Sequence, residues 1–542
     1  MRIFHPDDDL TLRDWLRENR RPAWTMVALM VIAHPLILAL DGGQWFFLDE
    51  WDFLADRDGG DPGDLLRFHF DHPSIIPILA YRIVWQFAGL TSYLPYQVWS
   101  VLTHVLSAGL LWLIVARRVH VRPWVALLAV TPYLLLGTGW QNIVWAFQIG
   151  LVGSMVFGFA QLYIASNPYE ISRKDYVGVV FGILAIGCSG VGVTTTAVAG
   201  LAALISRGWK PALLHTVPVG AVFLLWYATY GPEDTTPTAV WTTDMIEMVV
   251  IAYQEVFLDQ GWWTINAYAL AMLLVGGLVL AWRNARSTFH TWRVVNASAI
   301  ALALGGLGFI AVTAYGRAGF FGVRFGASSR YTHILVASLV PLLAIAIDAI
   351  LKRWRTALPV VLVIALAGVV PNLDEFRDRS REALFLAGPE NMIHALADAV
   401  AADPTIADGT RPLPERAQHV TVGWLRDIIA DEDVELGREV PARVTNEAAY
   451  RLQLGVHQIP LDVSDLECEQ MTEPEMVTLE PGEPFTVSLG TVRFRQVLED
   501  PDARSATVSV NSFFDSIQLW PNDTLTVEVI PVPNTFGPLR CA

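Results

Sequence analysis

Apolar residues in this chain fall in runs far longer than a soluble core uses. The first extends from Trp24 to Leu40, and others follow at 93–116, 123–139, 147–166, 176–189, 192–206, 211–229, 262–282, 294–315, 331–351 and 356–371. A helix needs about 20 mostly apolar residues to cross a bilayer, so the pattern predicts about 11 transmembrane helices. Inside 176–206, "GCSGVGVTTT" leaves a second option, one broken hairpin in place of two spans. Either option returns the chain to the same side.

The polar breaks orient these segments. Arg17, Arg20 and Arg21 precede the first, and Arg117/Arg118/Arg122, Arg173/Lys174, Arg207/Lys210, Arg283/Arg286/Arg293 and Lys352/Arg353/Arg355 occupy alternate loops. The intervening loops near 140, 190 and 235 hold no lysine or arginine. By the positive-inside rule the N-terminus is cytoplasmic and everything after residue 372 is exoplasmic. A cleaved signal is not expected, because the first apolar run is long and no small-residue cleavage site follows it.

Past residue 371 the pattern changes. Residues 372–440 read as a helical and linker region. From 441 onward, "PFTVSLGTVRF", "SATVSVNS" and "TLTVEVIPV" alternate with period two between Pro-Gly and Pro-Asn turns. That is the signature of short antiparallel strands, here a small β-sandwich. The predicted fold class is therefore an α-helical polytopic membrane domain over 1–371, followed by an exoplasmic region, helical over 372–440 and β-rich over 441–542.

Composition sharpens the division. Hydrophobic residues make up 53% of the chain, charged residues 17%, and the mean hydropathy is +0.41, values expected of a membrane protein. Residues 372–542 hold 30 acidic side chains against 13 arginines, a net of −17 that accounts for the whole formal charge of −16. With no basic stripe, nucleic-acid binding is set aside. Cys468 and Cys541 both fall in the predicted exoplasmic tail, where an oxidising compartment permits a disulfide; two separate thiols are the alternative.

The candidate chemistry lies in loops on that side. The run "FFLDEWDFLADRDGG" (46–60) places Asp49, Glu50 and Asp52 around Trp51, directly after the first span. A partly desolvated carboxylate gains basicity and can take a proton from a hydroxyl. The "HFDH" that follows offers His69, Asp71 and His72 to substrate, or to a divalent cation such as magnesium or manganese. The apolar half of "LLRFHFDHPSIIPILAYRIVWQFAGL", interrupted by Pro73, Pro77 and Arg82, reads as a helix lying along the membrane surface, since Arg82 at mid-bilayer would cost roughly 2.5 kcal/mol or more. Structural readings stand beside these: the acids can be plain solvated surface that obeys topology.

Three further stretches share the predicted exoplasmic side. "GTGWQNIVWAFQ" (137–148) carries Trp140, Gln141, Asn142 and Gln148, rings and amides suited to sugar C–H faces and hydroxyls; an interfacial aromatic belt is the alternative. The segment 233–263 reads as an amphipathic surface helix with a structural role. "YGRAGFFGVRFGASSRYTHI" (315–334) places Arg317, Arg324 and Arg330, with Tyr331 and His333, where the charge rule disfavours cations. Bidentate pairing of arginine with a lipid phosphate explains that exception; snorkelling or pairing with the acidic tail also would.

This arrangement resembles the GT-C superfamily of polyprenyl-phosphate-sugar-dependent glycosyltransferases, many-span proteins with an acidic motif in the first outer loop. The resemblance implies that "LDEWDF" supplies the motif, with Asp49 the first candidate for catalytic base, then Glu50, then Asp52. More narrowly, "FFLDEWDFL", "HFDHPSIIP", "SYLPYQ", "GWQNIVWAFQIG" and "ASSRYTH" look like a set of actinobacterial multi-span membrane proteins, over most of 1–371 and part of the tail. This chain has "HFDH" where that set carries "HNEH", keeping both histidines and an acid.

The expectation is a glycosyltransferase of the bacterial plasma membrane that moves a sugar from a polyprenyl-phosphate donor to a cell-envelope glycan or another hydroxyl acceptor at the exoplasmic face, with inversion. Polyprenyl phosphate leaves readily, so no cofactor is required. Two alternatives come from other classes: a flippase or transporter of a lipid-linked sugar, and a non-catalytic cell-envelope binding protein.

Overall fold

A computed structural model describes residues 10–41, 44–57, 62–69, 72–231, 243–261, 263–285, 289–379, 388–459, 467–488, 490–497, 506–511, 516–521, 523–532 and 538–541. Asp71 lies outside these described residues, as do Glu233, Asp234 and Trp262 of the 233–263 stretch. The chain divides into two compact units. One comprises Met1–Gly42, Leu65–Ala80 and Leu94–Arg381; the other comprises Gly43–Asp64, Tyr81–Tyr93 and Glu382–Ala542.

The first unit is a helical bundle. Among the described residues, eight helices are long and apolar enough to cross a membrane: Arg20–Leu40, Leu94–Arg117, Ala146–Ala165, Trp209–Tyr230, Thr264–Asn284, Ala297–Gly319, Ser329–Arg353 and Arg355–Asp378. A ninth appears if Pro123–Leu134 and Gly137–Val144, bent by 53°, are counted as one. Their surfaces leave Leu225, Ile265 and Val312 largely exposed, the arrangement expected where lipid rather than water is the surrounding solvent.

The sequence predicts about 11 spans, and the difference lies chiefly at 176–206. That stretch forms two short helices, Arg173–Cys188 of 16 residues and Val191–Arg207 of 17, which reverse at Ser189–Gly190. At 1.5 Å per residue each reaches about 25 Å, short of the roughly 30 Å hydrocarbon core. Ile75–Ala88 is a 14-residue apolar helix, also too short to cross.

Charge is segregated along this bundle. At one end Asp348 binds Arg122 at 2.5 Å and Lys352 at 2.6 Å, while Asp175 holds Arg207 at 2.6 Å and His215 at 3.2 Å. Arg118 donates to the Tyr163 carbonyl at 2.9 Å and lies over the Tyr163 ring. The opposite end carries the 137–148 segment and the start of the Ser329–Arg353 helix. That helix is the most enclosed of the eight, with 78% of its apolar window buried, so it forms the axis of the unit.

In the second unit, helices Gly388–Ala402, Val422–Ala430 and Ala442–Gln453 precede the strands. The last occupies positions at the start of the segment expected to be β-rich. Its "ARVTNEAAYRLQ" has no period-two alternation, and Val444, Ala448 and Leu452 recur every four residues on its buried side. Among the described residues nine strands follow: β1 Val456–Ile459, β2 Cys468–Gln470, β3 Glu475–Leu479, β4 Phe485–Ser488, β5 Thr491–Gln496, β6 Thr507–Asn511, β7 Ser516–Leu519, β8 Leu525–Val532 and β9 Leu539–Cys541. They make two sheets, ordered β1-β7-β4-β9-β2 and β3-β8-β5-β6, with antiparallel neighbours throughout.

Both sheets contribute to one core. Val456, Phe485, Val487, Ile517 and Leu519 come from the first, and Val492, Phe494, Val508, Val527 and Val529 from the second. Cys468 and Cys541 stand opposite each other on β2 and β9 and are joined by a disulfide, with Cα atoms 4.1 Å apart.

Candidate functional site

The helical unit collects most of the candidate residues at one end, through contacts between segments remote in sequence. Gln141 N–H donates to the Ser329 hydroxyl at 3.2 Å. Asn142 Nδ2 donates to the Arg330 carbonyl at 2.8 Å and approaches His333 Nδ1 at 3.3 Å. Thus "WQN" and "SSRYTH", nearly 190 residues apart, build one surface.

A chain of ring nitrogens fixes that surface from below. His104 Nε2 lies 3.1 Å from the Leu134 carbonyl, which only accepts, so Nε2 carries the proton and Nδ1 is the acceptor. His333 Nε2, 3.0 Å from His104 Nδ1, must then donate, which leaves His333 Nδ1 to accept from Asn142 Nδ2. Both rings are fully buried and pack on Tyr133, whose hydroxyl pairs with Ser107 at 2.8 Å. The chain ends on a backbone carbonyl. It is therefore a positioning device and not a proton path.

With its nitrogen held from both sides, Asn142 points Oδ1 elsewhere. That oxygen is buried and has no hydrogen-bond partner among the described residues; the same holds for Gln141 Oε1 and Gln148 Oε1. Three such acceptors in one segment are unusual, because an unpaired buried amide oxygen costs about 1–3 kcal/mol. A ligand rich in hydroxyl donors would satisfy them.

Arginines border the same place. The guanidinium groups of Arg317 and Arg330 both act electrostatically on the Tyr331 hydroxyl. Arg330 also lies 5.5 Å from the Phe325 ring centre. Arg324 is exposed on the short turn between the two helices. Tyr331 and His333 are buried on the axial helix, and Trp140 is buried beside Gln141.

His69 and His72 lie at this end of the unit. His69 and His72 exchange backbone hydrogen bonds of 3.2 and 3.0 Å. The His69 ring packs against Phe147 with centres 5.5 Å apart. His72 Nδ1 lies 2.6 Å from where a Cβ on Gly190 would stand, so only glycine admits the ring there.

Some members of this site were not picked out from the sequence. Asp41, just past the first span, is buried and accepts from Gln97 Nε2 at 2.6 Å; the same nitrogen reaches the Val144 carbonyl at 3.1 Å. Asn372 accepts from Thr138 N–H at 3.0 Å and donates to the Asp259 carbonyl at 3.0 Å. The available signal was positional: Gln97, Ser100, His104 and Ser107 recur every three or four residues on one face of a largely apolar helix.

The carboxylate run belongs to the second unit, and its three candidate acids differ. Glu50 is fully buried; Oε1 accepts from the Tyr81 and Tyr93 hydroxyls, the latter at 2.8 Å, and Oε2 from Phe47 N–H at 2.8 Å. Asp52 is buried in an ion pair with Arg57 at 2.9 Å. Asp49 alone of the three is half-buried. The turn that leads into Asp49 holds Leu48 at φ 47°, a left-handed backbone costly for leucine. Trp51 is buried against Phe46 and Trp424.

Ligand atoms of Asp52, Asp56 and His419 lie within 4.8 Å of one another. A cation there would compete with Arg57 for Asp52, so these residues fit a metal poorly. Compared with known protein families and with curated proteins, the chain matches no family model and no curated protein.

Proposed function

We propose that the protein is a membrane glycosyltransferase that moves a sugar from a polyprenyl-phosphate donor to a hydroxyl acceptor. The observation that carries this reading is the trio of unpaired amide oxygens, of Gln141, Asn142 and Gln148, in the helical unit that also sets Arg317 and Arg330 around Tyr331. Acceptors for sugar hydroxyls and cations for a phosphate are what a lipid-linked sugar demands. The lipid-facing surface of the same unit suits a donor with a long apolar tail.

In this reading the acceptor hydroxyl oxygen attacks the anomeric carbon and its proton passes to a carboxylate base, for which the sequence offers Asp49 first. The bond from that carbon to the phosphate oxygen breaks, and polyprenyl phosphate departs with the electron pair. Arg317 and Arg330 stabilise the growing charge. Inversion follows from a single displacement. Asp49 is favoured over Glu50 and Asp52 because it is only half-buried, whereas those two are enclosed. The N-terminus is assigned to the cytoplasm, and the Asp49 loop and the 382–542 tail to the exoplasmic side of a bacterial plasma membrane, with an envelope glycan as acceptor.

The test is incubation of purified protein with radiolabelled polyprenyl-phosphate sugars and membrane glycans, comparing wild type with Asp49→Asn and Arg330→Ala. Loss of transfer in both variants is expected. Undiminished transfer in either removes the assigned role; lipid scrambling without any transfer removes the enzyme.

A further inference from the structure

The second unit contains a cleft of about 1050 Å³ whose floor and walls differ in chemistry. Its floor is apolar and closed: Phe46, Trp51, Met392 and Tyr450 line it but are all buried. The reachable walls are polar and consist mainly of donors. Arg416, Arg443 and Asn446 are exposed there, Gln453, Gln496 and Phe47 half-exposed.

Charge makes the site distinctive. Among the described residues the one acid on its lining, Glu447, is held at 2.8 Å by buried Arg451, which also binds Glu415 at 2.7 Å. Arg416 and Arg443 enter no ion pair among the described residues. Two uncompensated guanidinium groups therefore face one cleft in a tail of net charge −17. In so acidic a region, an unattached arginine would readily find a carboxylate partner. Two left unpaired on one concave surface suit an anion from outside.

We infer that this cleft binds an acidic saccharide, with Arg416 and Arg443 on its carboxylate or phosphate substituents. Asn446, Gln453 and Gln496 supply the paired donor and acceptor atoms that sugar hydroxyls need, and Phe47 offers an aromatic ring on which a sugar C–H face can stack. The volume accommodates several sugar rings, within the usual size of ligand sites. The inference does not depend on the transferase reading, because its test measures binding alone.

Calorimetric titration of the full chain in detergent would use three hexameric probes, oligogalacturonate, a phosphorylated oligomannose and neutral maltohexaose, with polyglutamate as an anionic peptide. At least one acidic saccharide should bind, weaken as salt rises, and exceed maltohexaose and polyglutamate tenfold or more. Whether the carboxylate or the phosphate probe is tighter identifies the anion. Arg416→Ala and Arg443→Ala should each lower affinity at least tenfold with melting unchanged; Arg493→Ala, exposed on β5 outside the cleft, should not. Absence of binding by both acidic saccharides, equal binding of maltohexaose or polyglutamate, or indifference to both cleft substitutions would overturn the inference. Should an arginine variant unfold, the charge-retaining Arg416→Lys and Arg443→Lys take its place, with loss of bidentate contact again read as weaker binding.

Discussion

His104 and His333, 229 residues apart in sequence, share a single ring-to-ring hydrogen bond of 3.0 Å inside the helical unit. Each orders the other's tautomer, so replacing one strands its neighbour. His104→Phe and His333→Phe should each cost about 1–3 kcal/mol, the penalty of an unpaired buried polar group. The double variant should lose less than the sum, because the two share one interaction. Thermal melting of all three in detergent measures this, and strict additivity would contradict the shared bond.

Glu50 and Asp49 are neighbours with opposite expectations. Glu50→Ala abandons two phenol hydroxyls and a backbone N–H in a dry interior, so a loss of about 3 kcal/mol or more is expected. Asp49→Asn, under the transferase reading, should slow transfer about 10²–10⁴-fold. Melting and assay together separate the two roles; a stable Glu50→Ala protein would contradict the burial described.

Much of this architecture is legible in the sequence. Long apolar runs reveal the bundle because hydrocarbon leaves a chain no other way to satisfy its backbone, and period two reveals the strands. The short hairpin at 173–207 was less readable, since composition reports apolarity and not length after the turn at Ser189–Gly190. The site was legible as residue types and not as a network. Nothing local to "LTHVL" says that His104 will meet His333, and nothing in "LDEWDF" tells which acid turns inward. Those facts arise from tertiary packing, which a linear pattern does not carry.

Gly137→Ala should disrupt the site end of the bundle. A Cβ there would stand 1.7 Å from the Asn372 carbonyl oxygen, a backbone atom that cannot rotate away. A fall in melting of several degrees, with loss of the Thr138–Asn372 contact, is expected. Gly276→Ala, where nothing lies within 4 Å, should be tolerated and serves as the control.

Reduction of the Cys468–Cys541 disulfide should loosen the strands. The bond spans 73 residues, for which the chain-entropy model gives about 4 kcal/mol. Wild type with reductant and Cys468→Ser without it should melt alike, both below the oxidised protein. Equal melting of all three would contradict a stabilising role.

Acid should weaken the second unit through His457. Burial, and secondarily the Arg411 charge, hold its pKa below the ordinary value near 6.5. The unfolded chain therefore binds the proton more readily than the folded one. The stability due to neutral His457 is complete above pH 6.5 and declines as pH falls below it. His457→Gln should flatten the fall in melting temperature between pH 7 and 5; an unchanged slope would exclude this histidine.

The placement of β9 has a bearing on biogenesis. It enters the first sheet between β4 and β2, and β1 reaches that sheet only through β7. Residues near 460 thus wait for partners near 520 and 540 before any ladder can close. Such distant pairings delay assembly, so while this region is still being made its strand edges stay open to mispairing and to holdase chaperones, and its cysteines to oxidants.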